Sequence, residues 1–295
     1  MCSCNQIMDR APNLDTLLEM DIINRYRFDR AGINYLTQLI GANISPKAVR
    51  NNALNAEQKI LITLRYLATG LIQLNDADIH GVSQPTVSCV LTEVINALSS
   101  PALIRQFIRR NAVQMQRIAR FPKCNVQVVF DGWYNIIDVV ARWPESVHDS
   151  RVLRESSLNN LFENGHMPHG FHLLGDSGYP AKRWLLTPFL APQTQAEQAY
   201  NRSHKVTRAL VERGIGQLKR RFGILHREII LQPVKVCRLV IACCVLHNIC
   251  KQRAIPMAAI EDNNDGGNGD DGRVQHQANN LVGLRYRDHF VSTYF

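Results

Sequence analysis

Residues 124–143 read CNVQVVFDGWYNIIDVVARW. Cys124–Phe130 and Ile136–Trp143 are β-branched runs of strand length, and Asp131, Gly132, Trp133, Tyr134 and Asn135 between them are turn formers, so the stretch predicts a β-hairpin. After Pro144, Asp149 stands ahead of Val152, Leu153, Leu158, Leu161 and Phe162, which predicts a helix with Asp149 as its cap. Phe171–Gly175 predicts a third strand, with Asp176-Ser177-Gly178-Tyr179 just beyond its end. Further helices are predicted over roughly Ser203–Leu225 and Val234–Lys251. Strands followed by helices, with a carboxylate at a strand exit, point to an α/β, nuclease-like sheet.

The chain ahead of this sheet is helical. Residues 13–40 carry loose helical periodicity, and 51–55 form a polar break. Ile60, Leu61, Leu64 and Leu67 repeat at three and four residues over Ala56–Ala68, with Gly70 as the stop. Asp76–His80 then predicts a short helix, Gly81 a turn, and Ser83 the N-cap of a second helix that tolerates Pro85 in its first turn. Val87, Val90, Leu91, Val94, Ile95 and Leu98 share one face. Gln84, Thr86, Ser88, Cys89, Thr92 and Glu93 face the other way. This is the layout of a helix-turn-helix whose second helix can enter a major groove, or of a helical hairpin that only packs against its neighbours. The outward face can read bases but has no cation, so the module by itself should bind DNA weakly. Arg105, Arg109 and Arg110 are the nearest source of the missing charge.

The 295 residues have 34 Lys and Arg against 25 Asp and Glu, with 45% hydrophobic and 20% charged residues. That balance fits a folded, soluble chain and excludes a disordered one. The longest uncharged apolar stretch, Leu239–Ile249, is about half of a bilayer span, and the start MCSCNQIMDR lacks a leader pattern, so neither a membrane nor secretion is expected. Residues 1–120 carry net +4, 121–260 net +8 and 261–295 net −3. A basic middle segment attracts polyanions, of which nucleic acid is the commonest. Cys243, Cys244, His247 and Cys250 fit one apolar helix with buried thiols better than a metal cluster. Residues 261–272, acidic and rich in Gly and Asn, predict a flexible linker within 256–280. The tail 281–295 is apolar enough to dock.

The carboxylates carry the chemistry. Val211, Ile215, Leu218, Phe222 and Leu225 form the buried stripe of the long helix, and Glu212 is one step off it, in line with Lys205, Arg208, Gly216 and Lys219. One reading is an Arg208–Glu212 ion pair on a solvated face, worth a few tenths of a kcal/mol. The other has Glu212 meet Asp176 across a cleft to hold Mg²⁺, with the cations on a phosphate backbone and Gly216 allowing close approach. Spacing alone favours the first, with Asp149 as an N-cap and Asp176 as a turn residue.

The segments IHGVSQPTVSCV (79–90), VVARWPESVHDSRVL (139–153), LLGDSGYPAKRWLLTPF (173–189), YNRSHKVTRALVERGIGQLKRRFGIL (200–225) and ACCVLHNIC (242–250) resemble the PIF/Harbinger superfamily of DDE transposases and its domesticated nucleases. The likeness runs in the family's order to about residue 255. It implies an α/β, ribonuclease-H-like DDE domain over 121–255 behind an all-α, helix-turn-helix-like region over 1–120. It implies carboxylates that hold two divalent metals, Mg²⁺ or Mn²⁺, about 4 Å apart for in-line attack on phosphate. Carried over, the second aspartate falls on Asp176, the glutamate on Glu212, and a further metal ligand on Asp149.

The sequence departs from the family at the first aspartate. Arg120-Phe121-Pro122-Lys123 runs straight into Cys124-Asn125-Val126-Gln127, so the strand bearing that aspartate is expected to be absent and cleavage weak or lost. Asp131 keeps the right order but belongs to the following hairpin, and its use would require the sheet to shift by one strand. The alternative is a non-catalytic DNA- or partner-binding protein. The expected partners are DNA, a Myb/SANT-like DNA-binding protein and a second copy of the chain. The expected compartment is the nucleus, with the cytoplasm as a second one. Gln84, Thr86 and Ser88 on the helix-turn-helix and Lys205, Arg208, Lys219 and Arg220 on the long helix are the candidate DNA contacts.

Overall fold

A computed structural model of the chain describes residues 14–46, 53–70, 73–108, 116–121, 124–143, 149–165, 170, 172–227, 229, 231–258 and 280–295. Its helices and strands run, in chain order, α1 (Glu19–Tyr26), α2 (Arg30–Ile44), α3 (Ala56–Thr69), α4 (Gln73–His80), α5 (Gln84–Leu98), α6 (Pro101–Phe107), β1 (Gln116–Phe121), β2 (Cys124–Phe130), β3 (Ile136–Trp143), α7 (Asp149–Arg154), α8 (Ser157–Glu163), β4 (Leu173–Leu174), β5 (Leu185–Leu186), α9 (Gln195–Arg221), α10 (Pro233–Gln252) and α11 (Leu281–Tyr294). This is a mostly helical α/β chain with small sheets. Packing divides it into residues 1–107 with 218–260, and residues 108–217 with 261–295.

The first unit is helical. Asn55 and Gln58 form a reciprocal capping box at the start of α3, and Gly70 ends that helix at φ 63°, a conformation other residues adopt only with strain. Ser83 caps α5 by accepting from the Thr86 N–H, and the six apolar residues of its predicted stripe are all buried. α10 explains why this unit draws on a distant segment. Every residue from Ala242 to Cys250 is buried, so the helix needs neighbours on all sides, and α5 and α6 are among them. The division therefore differs from the 1–120 and 121–255 expected from the sequence. α10 also has the length and apolar content of a membrane span, with two-thirds of that window buried inside the protein. Cys243, Cys244 and Cys250 on it are free and buried, and burial pushes the Cys244 and Cys250 thiols up to about 12.

The second unit is built on β2. This strand pairs antiparallel with β1 on one side and β3 on the other, giving the order β1-β2-β3. β4 and β5 pair in parallel, and β1 lies beside β4. Val126 through Phe130 are all buried, as expected of a strand covered on both faces. On one face Val129 joins a cluster with Leu153, Leu173, Tyr179, Trp184 and Leu185, packed by Leu158 and Phe162. On the other, the Phe130 ring lies against Gly214 of α9, where an added Cβ would stand 2.9 Å from the ring. Gly214 thus makes the close approach to the sheet, whereas a Cβ added at Gly216, two residues on, would meet nothing within 4 Å among the described residues.

Several boundaries differ from expectation. A strand does precede Cys124-Asn125-Val126-Gln127: residues 116–121 carry no strand signal of their own, and the backbone pairing with β2 organises them. The helix after Asp149 is two helices, because Ser156 turns the chain and caps α8 by accepting from Asn159 N–H at 3.1 Å. α9 begins eight residues earlier than Ser203 and stops at Arg221, and Leu225 sits in a 3-10 turn, Gly223–His226. The linker over 256–280 lies almost wholly outside the described residues, while α11 packs in the second unit near β5.

Gln127 is 0% exposed on the central strand, and neither amide atom has a hydrogen-bond partner among the described residues. An unpaired buried amide costs about 1–3 kcal/mol. Gln127→Met keeps the shape and removes the polar atoms, so the urea midpoint is expected to rise by the equivalent of about 1–2 kcal/mol. A lower midpoint would mean that the amide is paired.

Candidate active site

Asp176 sits where β4 ends, in a turn locked from both sides. Gly175 N–H donates to Leu186 O at 2.9 Å, and a Cβ on Gly175 would meet Leu185 and Tyr179 at 3.1–3.2 Å. Tyr179 is fully buried and anchors the turn, its N–H donating to Asp176 O at 3.2 Å. The Asp176 carboxylate accepts from Gly178 N–H at 3.0 Å through Oδ1. The turn reading and the strand-exit placement thus hold together.

His204 on α9, which the sequence analysis did not single out, joins this corner. Its Nε2 donates to Leu186 O at 3.2 Å, and the Gly175 backbone also bonds to it. Burial is the main cause holding its pKa below the ordinary histidine value, and the Asp176 charge opposes that. A neutral imidazole therefore ties α9 to β5 beside Asp176. No periodic signal marked it, because its partners are backbone carbonyls far away in sequence.

Glu212 is half exposed and pairs with Arg208 four residues earlier, Nη2 to Oε1 3.6 Å. This is the solvated ion pair that spacing favoured. One residue on, Arg213 Nε donates to the Tyr134 hydroxyl at 3.1 Å, so α9 is pinned to the β2–β3 loop beside the Phe130–Gly214 contact. Asp131 in that loop is committed locally. Its Oδ1 accepts from the N–H groups of Trp133 and Asn135 at 2.9 and 2.8 Å, and its Oδ2 from Asn135 Nδ2 at 2.8 Å. Asp149 is the first residue of α7, and its side chain lies outside the described residues.

The resemblance implies two divalent cations, and the donors described do not make up that set. The six residues of β1, QRIARF, contain no carboxylate. Asp131 accepts three hydrogen bonds within its own loop, Asp176 has one oxygen in a turn, and Glu212 is ion-paired. Among the described residues, no three His, Cys, Asp or Glu side chains gather as a metal site. The described side chains do not assemble a two-metal centre, and the Asp149 side chain lies outside them.

The candidate DNA contacts fall in both units. Lys205 is exposed and Arg208 half buried in the unit of Asp176, whereas Lys219 and Arg220 lie on the last turn of α9, which belongs to the helical unit. On α5, Gln84 is exposed and its Nε2 donates to Gln73 Oε1 at 3.1 Å. The Thr86 and Ser83 hydroxyls lie 2.8 Å apart, and Ser88 is half buried. Further along, Glu93 pairs with Lys59 at 2.8 Å, Lys235 Nζ donates to Thr92 Oγ1 at 3.5 Å, and Arg238 Nη1 to Asn96 Oδ1 at 2.6 Å. α10 thus lays two exposed cations beside α5. Arg105 is exposed, while Arg109 and Arg110 lie outside the described residues. Lys235 and Arg238 carry no local signal for this role, because about 140 residues separate them from the helix they flank.

Comparison with known proteins supplies the context. The family described as DDE superfamily endonuclease matches residues 120–248. "Putative nuclease HARBI1" of Rattus norvegicus is 32% identical over 278 residues, covering 80% of this chain and 79% of the rat protein. The Homo sapiens protein of that name is 31% identical over the same shares. "Protein ALP1-like" of Arabidopsis thaliana is 22% identical over 280 residues, 76% of this chain and 69% of the plant protein. No solved structure matches. Identity of this level over four-fifths of both chains, with the family match spanning Asp176 and Glu212, settles the family: the chain belongs to the Harbinger transposase-derived nucleases of the DDE endonuclease superfamily.

Proposed function

We propose that this chain is a transposase-derived nuclease homologue that binds DNA and has lost strong phosphodiester cleavage. The observation that carries the reading is β1: the strand in the first place of the sheet has no carboxylate, and Asp131, the nearest replacement in sequence, is consumed by its own loop. Asp149, Asp176 and Glu212 are then the remaining carboxylates of the ancestral set, with Mg²⁺ or Mn²⁺ as the cation they would have served. Purified protein with Mg²⁺ or Mn²⁺ on labelled duplex DNA is expected to cleave no faster than Asp176→Ala or Glu212→Ala. Robust wild-type cleavage that both substitutions abolish would overturn the loss of activity. Sequencing the transcript across Pro122 and Lys123 checks the same point at the locus, since a longer form restoring an aspartate-bearing strand would make the enzyme the functional product.

DNA binding by α5 is supported by Lys235 and Arg238, which supply the phosphate-binding charge that its own face lacks, leaving Gln84, Thr86 and Ser88 toward the helix start for contact. Lys205, Arg208, Lys219 and Arg220 on α9 are the second candidate set. Lys235→Glu with Arg238→Glu is expected to weaken duplex binding at least tenfold and to flatten the salt dependence by about two phosphate contacts, while Asp176→Ala leaves binding unchanged. Equal affinity of the charge-reversal variant at low salt would remove α5 from the interface. A Myb/SANT-like DNA-binding protein, self-association and nuclear localisation complete this reading, and co-purification with such a protein from nuclear extract tests the partner.

A further inference from the structure

The second unit has an open-mouthed cavity of about 950 Å³ between two walls. One wall is the end of α8 with the segment leading into β5, and the other is α11. On the first wall Phe162 stacks on Trp184, centroids 4.5 Å apart and rings 14° from parallel, with Lys182 Nζ 5.1 Å above the Trp184 ring. On the second, Tyr286 presents its ring, its hydroxyl 2.8 Å from His172 Nε2. Each wall also carries an arginine, Arg183 on the first and Arg285 on the second.

The charges in this lining are unequal in kind. Glu163, the one acid, is already neutralised: it accepts from Lys182 Nζ at 2.6 Å and from Trp184 Nε1 at 3.3 Å, and the bond from Lys182 holds its carboxyl below the usual range. Arg183 and Arg285 are exposed and have no ion pair or hydrogen bond among the described residues. Two uncommitted guanidinium forks flank an aromatic-lined cavity whose own acid is spent on a lysine. The forks match phosphate oxygens, and the partly exposed rings of Phe162 and Tyr286 match a planar base. A neutral aromatic ligand would leave both arginines without use, and an acidic peptide would leave the aromatic walls without use. The volume lies within the roughly 300–1,000 Å³ of small-molecule sites.

We infer that this cavity is a binding site for a nucleoside phosphate, with its base between Phe162, which Trp184 backs from the core, and Tyr286, and its phosphate on Arg183 and Arg285. The ligand is either a free nucleotide or one unstacked nucleotide of a single DNA strand. Nothing in the inference uses Asp176 or Glu212, so it stands or falls separately from the loss of cleavage and from duplex binding by α5.

Calorimetric titration of the full chain with dAMP, deoxyadenosine, inorganic phosphate and the octanucleotide dA8 tests it, alongside Arg183→Ala/Arg285→Ala. Both side chains are exposed, so the double variant is expected to keep the wild-type denaturation midpoint. Saturable binding of dAMP or dA8, at least tenfold tighter than deoxyadenosine or phosphate alone and weakened at least tenfold in the double variant, is the expected result. Tighter binding of dA8 than of dAMP assigns the site to a DNA strand, and equal or weaker binding to a free nucleotide. The inference is overturned if neither binds, if phosphate alone binds as well as dAMP, or if the double variant with an unchanged midpoint binds as tightly as wild type.

Discussion

Gly283→Ala is expected to release α11 from the second unit and to lower stability by on the order of 3 kcal/mol. The methyl group would run into the Ala181 carbonyl and lie 2.6 Å from Lys182 N. Both obstacles are backbone, which cannot rotate away as a side chain does. Helix propensity argues the opposite way, since alanine inside a helix is favoured over glycine by about 1 kcal/mol. The clash outweighs it because α11 holds its place through contacts that tolerate little shift. Arg287 lies over the Phe189 ring at 3.7 Å and donates to Pro188 O at 3.1 Å, and the Phe295 ring packs edge-on to Tyr200. Limited proteolysis should cut the variant ahead of α11 faster than wild type, and its denaturation midpoint should fall. A rise of the size that propensity alone supplies would show that α11 does not dock through Gly283.

Asp76→Asn is expected to stabilise the protein at pH 8 by up to about 4 kcal/mol and to do little near pH 4. Asp76 and His80 on α4 are buried with Oδ1 and Nε2 3.8 Å apart, a distance at which an ion pair is conceivable. Burial decides against it. Desolvation lifts the Asp76 carboxyl to about 7 despite the Arg65 charge, and it lowers His80 to about 4, with Arg65 adding to the fall. Each group is held toward its neutral form. Tyr26 and Tyr66 line the same site, and their hydroxyls are raised chiefly by burial.

The signs of the two groups oppose. The contribution of Asp76 is fully present below about pH 4, where the unfolded carboxyl is also protonated, and is lost as pH rises through about 7. That of His80 is present above about 6.5 and is lost as pH falls toward 4. Between those limits the two slopes nearly cancel in the wild type. Asp76→Asn removes the first and exposes the second, so the variant should lose stability as pH falls from about 6.5 to 4 and should pull ahead of wild type as pH rises. Urea denaturation at pH 4, 5.5, 7 and 8 measures this. A gap between variant and wild type that stays constant across the series would mean that Asp76 titrates at an ordinary carboxylate value.

Much of the local structure was legible because its causes are local. Asn55 and Gln58 cap α3, Ser83 caps α5, the apolar stripe from Val87 to Leu98 turns inward, and Asp131 to Asn135 close the hairpin through Asp131's own hydrogen bonds. The ion pair of Arg208 and Glu212 follows from their spacing of four. What escaped is what depends on distant chain. β1 has no alternation to announce it and exists through its ladder with β2. α10 looked like part of the sheet domain and instead fills the centre of the helical unit. Gly214 takes the Phe130 ring, because the phase of α9 against β2 is set by packing. His204, Lys235 and Arg238 meet partners that no sequence window contains.

The amino-acid sequence by itself determined the family, through ordered segments of recognisable identity, together with the helix ends, the hairpin and the order of Asp149, Asp176 and Glu212, because each of these rests on residues close together or on inherited order. Only the tertiary structure decided that a strand without a carboxylate lies beside β2, that α11 forms one wall of an aromatic and cationic cavity, and that Asp76 and His80 share one dry site. Those outcomes depend on which surfaces remain to be buried once the elements have formed, and burial is a property of the assembled chain.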